Sequence, residues 1–509
     1  MLSRRMLPAL LSPILAAPAL RPAAAQAEAR ISLLHLNDFH SRHEPVSALN
    51  AACRPGQPCF GGSARIMTAL AEARAAAQAE GRAAVTLDAG DAFLGSLFFT
   101  QHQGLAEAAV QRLWGVQAMA LGNHEFDRGP AVLAAYADAA GFPLLCANLD
   151  AGAEPALAGR IRPSLELRHG DARLVVLGLV TPDVPSLSSP GPRLRFTDPF
   201  EAAERAVWEA RRAGMGTVIV LSHMGLAADR RLAEQVAGLD AILGGHSHTL
   251  LAPPEVMSGR AGAVPIVQAG AFGRHLGRLD LDLRADGRVA GFAQAMRELP
   301  AEVAEDAEVA ATVARFAAPL AELRARHVAT LVEALPNAGC ATAPCALGAL
   351  VAGAMRRELR AEIGWQNAGG LRAGLAAGAV SWGDVLATLP FSNTTARLVL
   401  RGGDILAELE HALGALPDRS GRYPQLDGLR FEADAGRPPG RRVLQAELRE
   451  PDGEWRRLDP ARAYSVATND FLRRGGDGYA TFATRALEAR DDGPLLEEVL
   501  VRRLIAGPP

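Results

Sequence analysis

The sequence predicts an α/β domain over about its first 300 residues and a smaller α+β domain after it. Three observations carry that reading. Between residues 30 and about 300 one unit recurs: a short β-rich apolar run, a polar loop, then a segment with apolar residues at helical spacing. Residues 301–328, AEVAEDAEVAATVARFAAPLAELRARHV, have no β character and carry interspersed charge, which predicts a linking helix. From residue 329 to residue 509 the regular unit gives way to a mixture of helical and strand-like segments. At 509 residues the chain also exceeds what one hydrophobic core holds, so two or more domains are expected.

The first 27 residues place Arg4 and Arg5 before an apolar stretch and end in the small-residue site Ala25-Gln26-Ala27. This reads as a cleavable export signal, so a periplasmic or secreted protein is expected from residue 28 onward. General secretion suffices, and the Ser3-Arg4-Arg5 start leaves twin-arginine export open. Prolines within the stretch and its short length argue against a retained anchor, and no later segment is apolar over a membrane's thickness. No membrane partner is therefore expected after signal removal.

The strands of the domain 28–300 follow in order. They are ISLLHL (31–36), AAVTL (83–87), VQAMAL (116–121), RLVVLGLV (173–180), GTVIVLS (216–222), LDAILG (239–244) and VPIVQAG (264–270). Between them lie amphipathic stretches such as ARIMTALAEARAAAQAEG, the pattern of an α/β fold. Such folds carry their chemistry in loops at the carboxyl ends of strands.

Composition narrows the function classes. With 49% hydrophobic and 21% charged residues the chain is an ordinary globular one. Its net charge of −3 creates no field that attracts nucleic-acid polymers. All 53 basic residues are arginine, which excludes Schiff-base and P-loop lysine chemistry. Among five cysteines, Cys53 and Cys59 bracket RPGQP, and Cys340 and Cys345 bracket ATAP. Two short disulfides are expected in an exported protein, with Cys146 a buried free thiol. A four-cysteine zinc site is the rival, and the wide Cys53–Cys59 spacing counts against it.

Five loops after β-like runs gather chemistry. They are LNDFHSR with Asp38 and His40, LDAGDAF with Asp91, LGNHEFD with Asn123, His124 and Asp127, LSHMG with His223, and LGGHSHT with His246 and His248. With His124 and Asp127 set aside, the loops offer two carboxylates, one carboxamide and four imidazoles, without sulfur. That mixture suits Zn, Mn, Co or Fe. One shared carboxylate would give two divalent metal ions about 3.5–4 Å apart, and Asp91 is the bridging candidate. A lone histidine at a strand end is usually structural, and His35, His43, His102, His169, His275, His327 and His411 are read that way. Five histidines of twelve in successive loops of this kind are a different signal.

In this order NDFH, GD, GNHEFD, SHMG and GGHSHT resemble the calcineurin-like metallophosphoesterases, in the form carried by exported bacterial 5′-nucleotidases and UDP-sugar hydrolases. The resemblance spans nearly the whole mature chain. It implies an N-terminal four-layer αββα sandwich with a C-terminal substrate-binding domain. It implies one metal on Asp38, His40, Asp91 and His248, and another on Asp91, Asn123, His223 and His246. Some relatives have Gln or Asn at the position of His248. His124 would reach the phosphoryl oxygen, with Asp127 holding its ring. Glu125 is expected to point away.

In the second domain WQNAGGLRAGLAAG, LPFSNT and NDFLRRGGDGY carry the substrate argument. Read alone, Phe391 and Phe471 fit a core as well as a base stack, and the Gly-Gly pairs fit turns. The resemblance assigns Asn367 to the base, Arg372 to phosphate, Phe391 and Phe471 to an aromatic clamp, and Asp477 to a ribose hydroxyl. Arg360 matches a second phosphate arginine with a one-residue offset. LGALVAGAM departs from the related pattern, with Ala349 in place of Asn and Gly353 in place of Asp. In relatives this domain rotates to deliver substrate, which implies a hinge near residues 301–330.

The function these residues imply is an exported phosphohydrolase acting on a nucleotide substrate, foremost a 5′-nucleotidase. UDP-sugars and 2′,3′-cyclic nucleotides are further candidate substrates, and a monomer or weak oligomer is expected. Two alternatives are a thiosulfohydrolase of sulfur oxidation and a non-catalytic nucleotide-binding receptor. The first departs from Asn-His-Glu-Phe-Asp, which this chain keeps whole; the second predicts loss of His124 or Asp127, and both are present.

Overall fold

Two β-sheets packed face to face form the centre of the first domain. The computed structural model describes residues 29–47, 53, 58–169, 172–214, 216–260, 262–391, 393–418, 420–491 and 493–507. The segment 1–27 read as an export signal lies outside them. One sheet has seven strands, in the order Val289–Glu298, His275–Leu283, Ala29–Leu36, Ala83–Asp88, Ala118–Ala120, Leu144–Leu145 and Ile161–Arg162. The other has six, Glu255–Gly259, Gly262–Val267, Ala241–Gly244, Thr217–His223, Ala172–Val180 and Ser164–His169. Each of the seven apolar runs read from the sequence overlaps one of these strands, and their mutual pairings are parallel.

Burial on both faces explains why those runs are continuously apolar rather than alternating. Leu33, Leu87 and Ala120 of one sheet meet Val176, Leu221 and Leu243 of the other. The sheets come close enough at Gly178 that a Cβ would collide with the Leu145 backbone. Helices Ser63–Ala79, Leu105–Trp114 and Gly129–Ala140 cover the outer face of the first sheet through Ile66, Leu70, Trp114 and Tyr136. Helices Pro199–Arg212 and Leu226–Gln235 cover the second through Ala203, Val207 and Leu232. The layers therefore run helix, sheet, sheet, helix, as the αββα expectation requires.

Among the polar residues buried in the first sheet, such as Ser32, Thr86 and Asp88, His35 stands apart. His35, opposite Gly277 in register, is 1% exposed, and both its ring nitrogens lack a hydrogen-bond partner. A Cβ on Gly277 would occupy the imidazole's space. Burial lowers the His35 pKa to about 4, so the ring is neutral at pH 7.

The linking segment differs from the single helix expected over 301–328. It forms two helices, Ala307–Ala317 and Leu320–Ala325, and then enters the strand His327–Leu331. Pro319 lies at the break, where it cannot donate the N–H that a continuous helix needs.

The second domain is built on a five-stranded sheet, in the order Pro424–Asp427, Ile363–Asn367, Ala463–Asn469, Thr395–Arg401 and Glu488–Arg490. Helices Ala346–Glu358 and Leu496–Ile505 pack through Val351, Met355 and Leu500, and helix Gly402–Leu413 packs elsewhere through Ile405 and Leu409. Gly353 lies against Asp427, where a Cβ would stand 2.9 Å from the carboxylate. That carboxylate pairs with Arg356 at 2.6 Å, so an acid at position 353 would meet a second one. Disulfides join Cys53 to Cys59 and Cys340 to Cys345, which removes the zinc alternative. Cys146 is free and buried, and burial pushes its thiol up to about 12.

Candidate metal centre and nucleotide subsite

The ligand candidates stand at the carboxyl ends of parallel strands of both sheets. Asp38 and His40 follow Ala29–Leu36, Asp91 follows Ala83–Asp88, and Asn123 follows Ala118–Ala120. His223 closes Thr217–His223, while His246 and His248 follow Ala241–Gly244. Five of these seven residues, Asp38, His40, Asp91, His246 and His248, have positive φ between 50° and 72°. Non-glycine residues rarely adopt that region, and it concentrates at functional sites. The turns aim each side chain back toward one point between the sheets.

Three groups of side chains come within metal-holding distance: Asp38, His40 and His248; His40, Asp91 and His124; Asp91, His223 and His246. Within each group, the candidate ligand atoms lie within 4.8 Å of one another. Asp91 links two of the groups, its Oδ2 lying 2.9 Å from His223 Nε2 and 3.9 Å from His40 Nε2. Asp38 Oδ1 lies 3.3 Å from His248 Nε2. His40 Nδ1 bonds the Phe93 carbonyl at 3.1 Å, and His223 Nδ1 bonds the Ala89 carbonyl at 2.7 Å. Those bonds commit Nδ1 and leave Nε2 as the ligand atom, the usual support for a metal-bound imidazole.

The residues fit the divalent ions that the donor set suggests. Asn123 is fully buried, yet neither its Oδ1 nor its Nδ2 has a partner in the protein. A buried amide left this way costs about 1–3 kcal/mol unless something else binds it. Burial lowers His40 and His246 to about 3, which keeps both rings neutral. Although burial opposes it, the neighbouring imidazoles hold Asp38 at about 2 and Asp91 well below the carboxylate range. These are the ligating forms. His223 moves up to about 10 against its burial, because Asp91 faces its Nε2. The same carboxylate field attracts a cation at that point.

His124 lies beside this cluster and is held differently. Its Nδ1 bonds Asp127 Oδ2 at 2.7 Å, and Ser188 Oγ donates to Asp127 Oδ1 at 2.8 Å. A carboxylate on Nδ1 fixes the orientation of the ring. Glu125, expected to point away, is instead fully buried beneath the site. Its carboxylate accepts from the backbone N–H groups of Gly122, Asp91, Ala92 and Phe93 at 2.6–3.2 Å. It ties the Asp91 loop to the Asn123 loop.

In the second domain Asn367 and Asp477 come together, with Asn367 Nδ2 donating to Asp477 Oδ2 at 2.7 Å. Arg372 lies with its guanidinium carbon 5.8 Å from the Phe391 ring. Phe471 is 42% exposed and rests over Gly476, where no Cβ would fit. Arg360 is exposed, with φ 50°, and makes no ion pair among the described residues. None of these six residues lines the metal cavity of about 260 Å³. Its second-domain wall is Thr394, Asp470, Arg474, Asp491 and Leu495. Arg474 Nη1 lies 3.1 Å from His248 Nδ1, a contact that no motif of the chain signals.

Comparison with known proteins agrees with this layout. Residues 31–250 match the calcineurin-like phosphoesterase model, and residues 325–484 match the 5′-nucleotidase C-terminal domain. The 5′-nucleotidase of Bos taurus is 32% identical over 486 residues, covering 88% of this chain and 84% of that protein. The trifunctional nucleotide phosphoesterase protein YfkN of Bacillus subtilis (strain 168) is 31% identical over 93% of this chain, which spans 34% of that protein's length. Among solved structures, the 5′-nucleotidase precursor from Thermus thermophilus is 34% identical with a TM-score of 0.62, covering 94% of this chain and 96% of that one. The two-domain fold, the Asp/His pocket between facing sheets and relatives of this identity over most of both chains agree: the chain belongs to the 5′-nucleotidase family, as a metal-dependent phosphoester hydrolase.

Proposed function

We propose that this protein is an exported 5′-nucleotidase that releases phosphate from nucleoside 5′-monophosphates at a dinuclear metal centre. The observation that carries the reading is the convergence of two carboxylates, four imidazoles and the unpartnered Asn123 amide beside the His124–Asp127 pair. Asp38, His40, Asp91 and His248 would hold one ion; Asp91, Asn123, His223 and His246 the other. Zn, Mn, Co and Fe all suit those donors. Such a pair of ions polarises a phosphoryl oxygen and acidifies water for in-line attack. His124 meets the phosphoryl group, and Asp127, steadied by Ser188, keeps its ring in place. Asn367, Phe391, Phe471 and Asp477 hold the nucleoside, with Arg372 and Arg360 on the phosphate side. Those residues lie outside the metal cavity, so delivery requires the second domain to turn on the segment 301–330.

Two disulfides favour an oxidising compartment, in accord with the signal-like residues 1–27. No described helix is long and apolar enough to cross a membrane. UDP-sugars and 2′,3′-cyclic nucleotides share the phosphoester chemistry and are secondary substrates in this reading. Phosphate release is to be measured from AMP, UDP-glucose, a 2′,3′-cyclic nucleotide and an aryl phosphate, with metal analysis of the purified protein. Turnover of the aryl phosphate without AMP would reduce the proposal to a general phosphatase. Bound metal without any turnover would favour the receptor.

A further inference from the structure

The amide of Asn367 is held by a relay of buried side chains that none of the preceding roles uses. Gln366 and Asn469 are each 1% exposed. Asn469 Nδ2 donates to Gln366 Oε1 at 3.0 Å and to Asn367 Oδ1 at 3.2 Å. Gln366 Nε2 donates to Asn367 Oδ1 at 3.2 Å and to the Asn367 carbonyl at 3.1 Å. Asn367 Nδ2 then donates to Asp477 Oδ2.

Both ends of the relay are fixed by groups that cannot exchange roles. Asp477 offers only acceptors when ionised, so the Asn367 nitrogen must face it. At the other end Asn469 Oδ1 accepts from the Leu472 backbone N–H at 2.9 Å, which turns the Asn469 nitrogen toward Gln366 and Asn367. Reversing any one amide would set like groups against each other at every later link. Gly370 completes the fit, since a Cβ there would collide with Gln366 Nε2. The Asn367 oxygen thus already has two donors. Its nitrogen has one hydrogen on Asp477 and one more to give.

We infer that Gln366 and Asn469 are positioning residues that make Asn367 a hydrogen-bond donor only, so that the subsite selects bases by an acceptor on the edge beside the ribose. This rests on the nucleotidase reading, in which Asp477 takes a ribose hydroxyl. A donor bonded to Asp477 then lies next to the glycosidic bond. Purines present N3 on that edge and pyrimidines present O2, so one donor serves all of them. The subsite recognises the nucleobase class without choosing among its members.

The test compares AMP, GMP, CMP, UMP and 3-deaza-AMP, which lacks only the N3 acceptor. With the unmutated protein the four natural monophosphates should have kcat/KM within about tenfold of one another. The deaza analogue should show a KM about three- to tenfold above that for AMP, the scale of one hydrogen bond. In Gln366→Met and in Asn469→Ser, which keeps an oxygen for Leu472, that KM ratio should fall toward one. A purely structural role would lower the melting temperature and both rates together, leaving the ratio intact. Equal KM for AMP and the deaza analogue in the unmutated protein overturns the inference without any variant. An unchanged ratio in both folded variants overturns it as well. If no monophosphate is hydrolysed by the unmutated protein, the nucleotidase reading itself fails, a distinct result.

Discussion

Glu125 and His124 are neighbours in the chain with opposite kinds of work. Glu125 gathers four buried backbone N–H groups from two loops, and burial together with the Asp91 charge raises its pKa to about 8. Glu125→Ala would strand those donors, at about 1–3 kcal/mol for each that fails to find water. The Asp91 loop should then shift, so the variant should melt lower and lose bound metal. His124→Ala should leave metal content and melting temperature nearly unchanged and lower kcat by about 10²–10⁴, the scale of a positioned acid–base group. Elemental analysis, melting and kcat on both proteins check the pair. Metal lost in step with activity in His124→Ala would make His124 a ligand instead, as its place in the His40–Asp91–His124 group allows. The ligand candidates were legible because the chemistry dictates their residue types after each strand. Glu125 was not, since its partners are backbone groups, which a sequence does not distinguish.

At the scale of the element, the strand Ala29–Leu36 buries His35 between two neighbours with no partner for its ring. The folded pKa of about 4 lies below the ordinary 6.5. Between those values the unfolded chain binds a proton that the folded chain does not. Stability therefore rises with pH through this window and is lost as pH falls from 6.5 toward 4. For this one ring the loss between pH 7 and pH 5 is about 2 kcal/mol. In urea unfolding, His35→Leu should lose that much less stability than the unmutated protein over the same pH interval. An identical pH dependence in the two would mean that the ring finds a proton acceptor when folded. The strands themselves were readable from continuous apolar runs, which parallel burial on two faces demands. The linking segment breaks into two helices at Pro319, a residue visible in the sequence. In the sequence pattern, helical periodicity on both sides outweighs the one residue lacking an N–H.

On the scale of the whole molecule, the two domains meet across the cavity of the ligand candidates, and the residues proposed to hold the nucleotide lie outside it. Asp470 and Arg474, one helical turn apart, line the cavity, whereas Phe471, next in the chain to Asp470, does not. Ion pairing of Arg128 with Glu498 at 3.2 Å, and the Thr100–Glu498 hydrogen bond at 3.1 Å, tie this arrangement together. No sequence pattern announces such a relative placement, because it depends on surfaces far apart in the chain. If nucleotides are delivered by domain rotation, fixing the domains as they stand should separate two activities. Arg128→Cys with Arg502→Cys, two exposed positions that line one cleft between the domains, joined by a short bis-maleimide, would do this, and the buried Cys146 should escape modification. The linked protein should still cleave a small aryl phosphate within about threefold of its unlinked form, since that substrate needs only the metals and His124. Its turnover of AMP should fall at least about tenfold, because the base cannot remain on the Asn367–Asp477 subsite while its phosphate reaches the metals. The same double variant capped with a monofunctional maleimide controls for the loss of the ion pair. AMP turnover that survives linking would show that the present arrangement already admits the nucleotide. A parallel fall in both activities would instead mean that the linker blocks the cavity, and the comparison of the two substrates separates those outcomes.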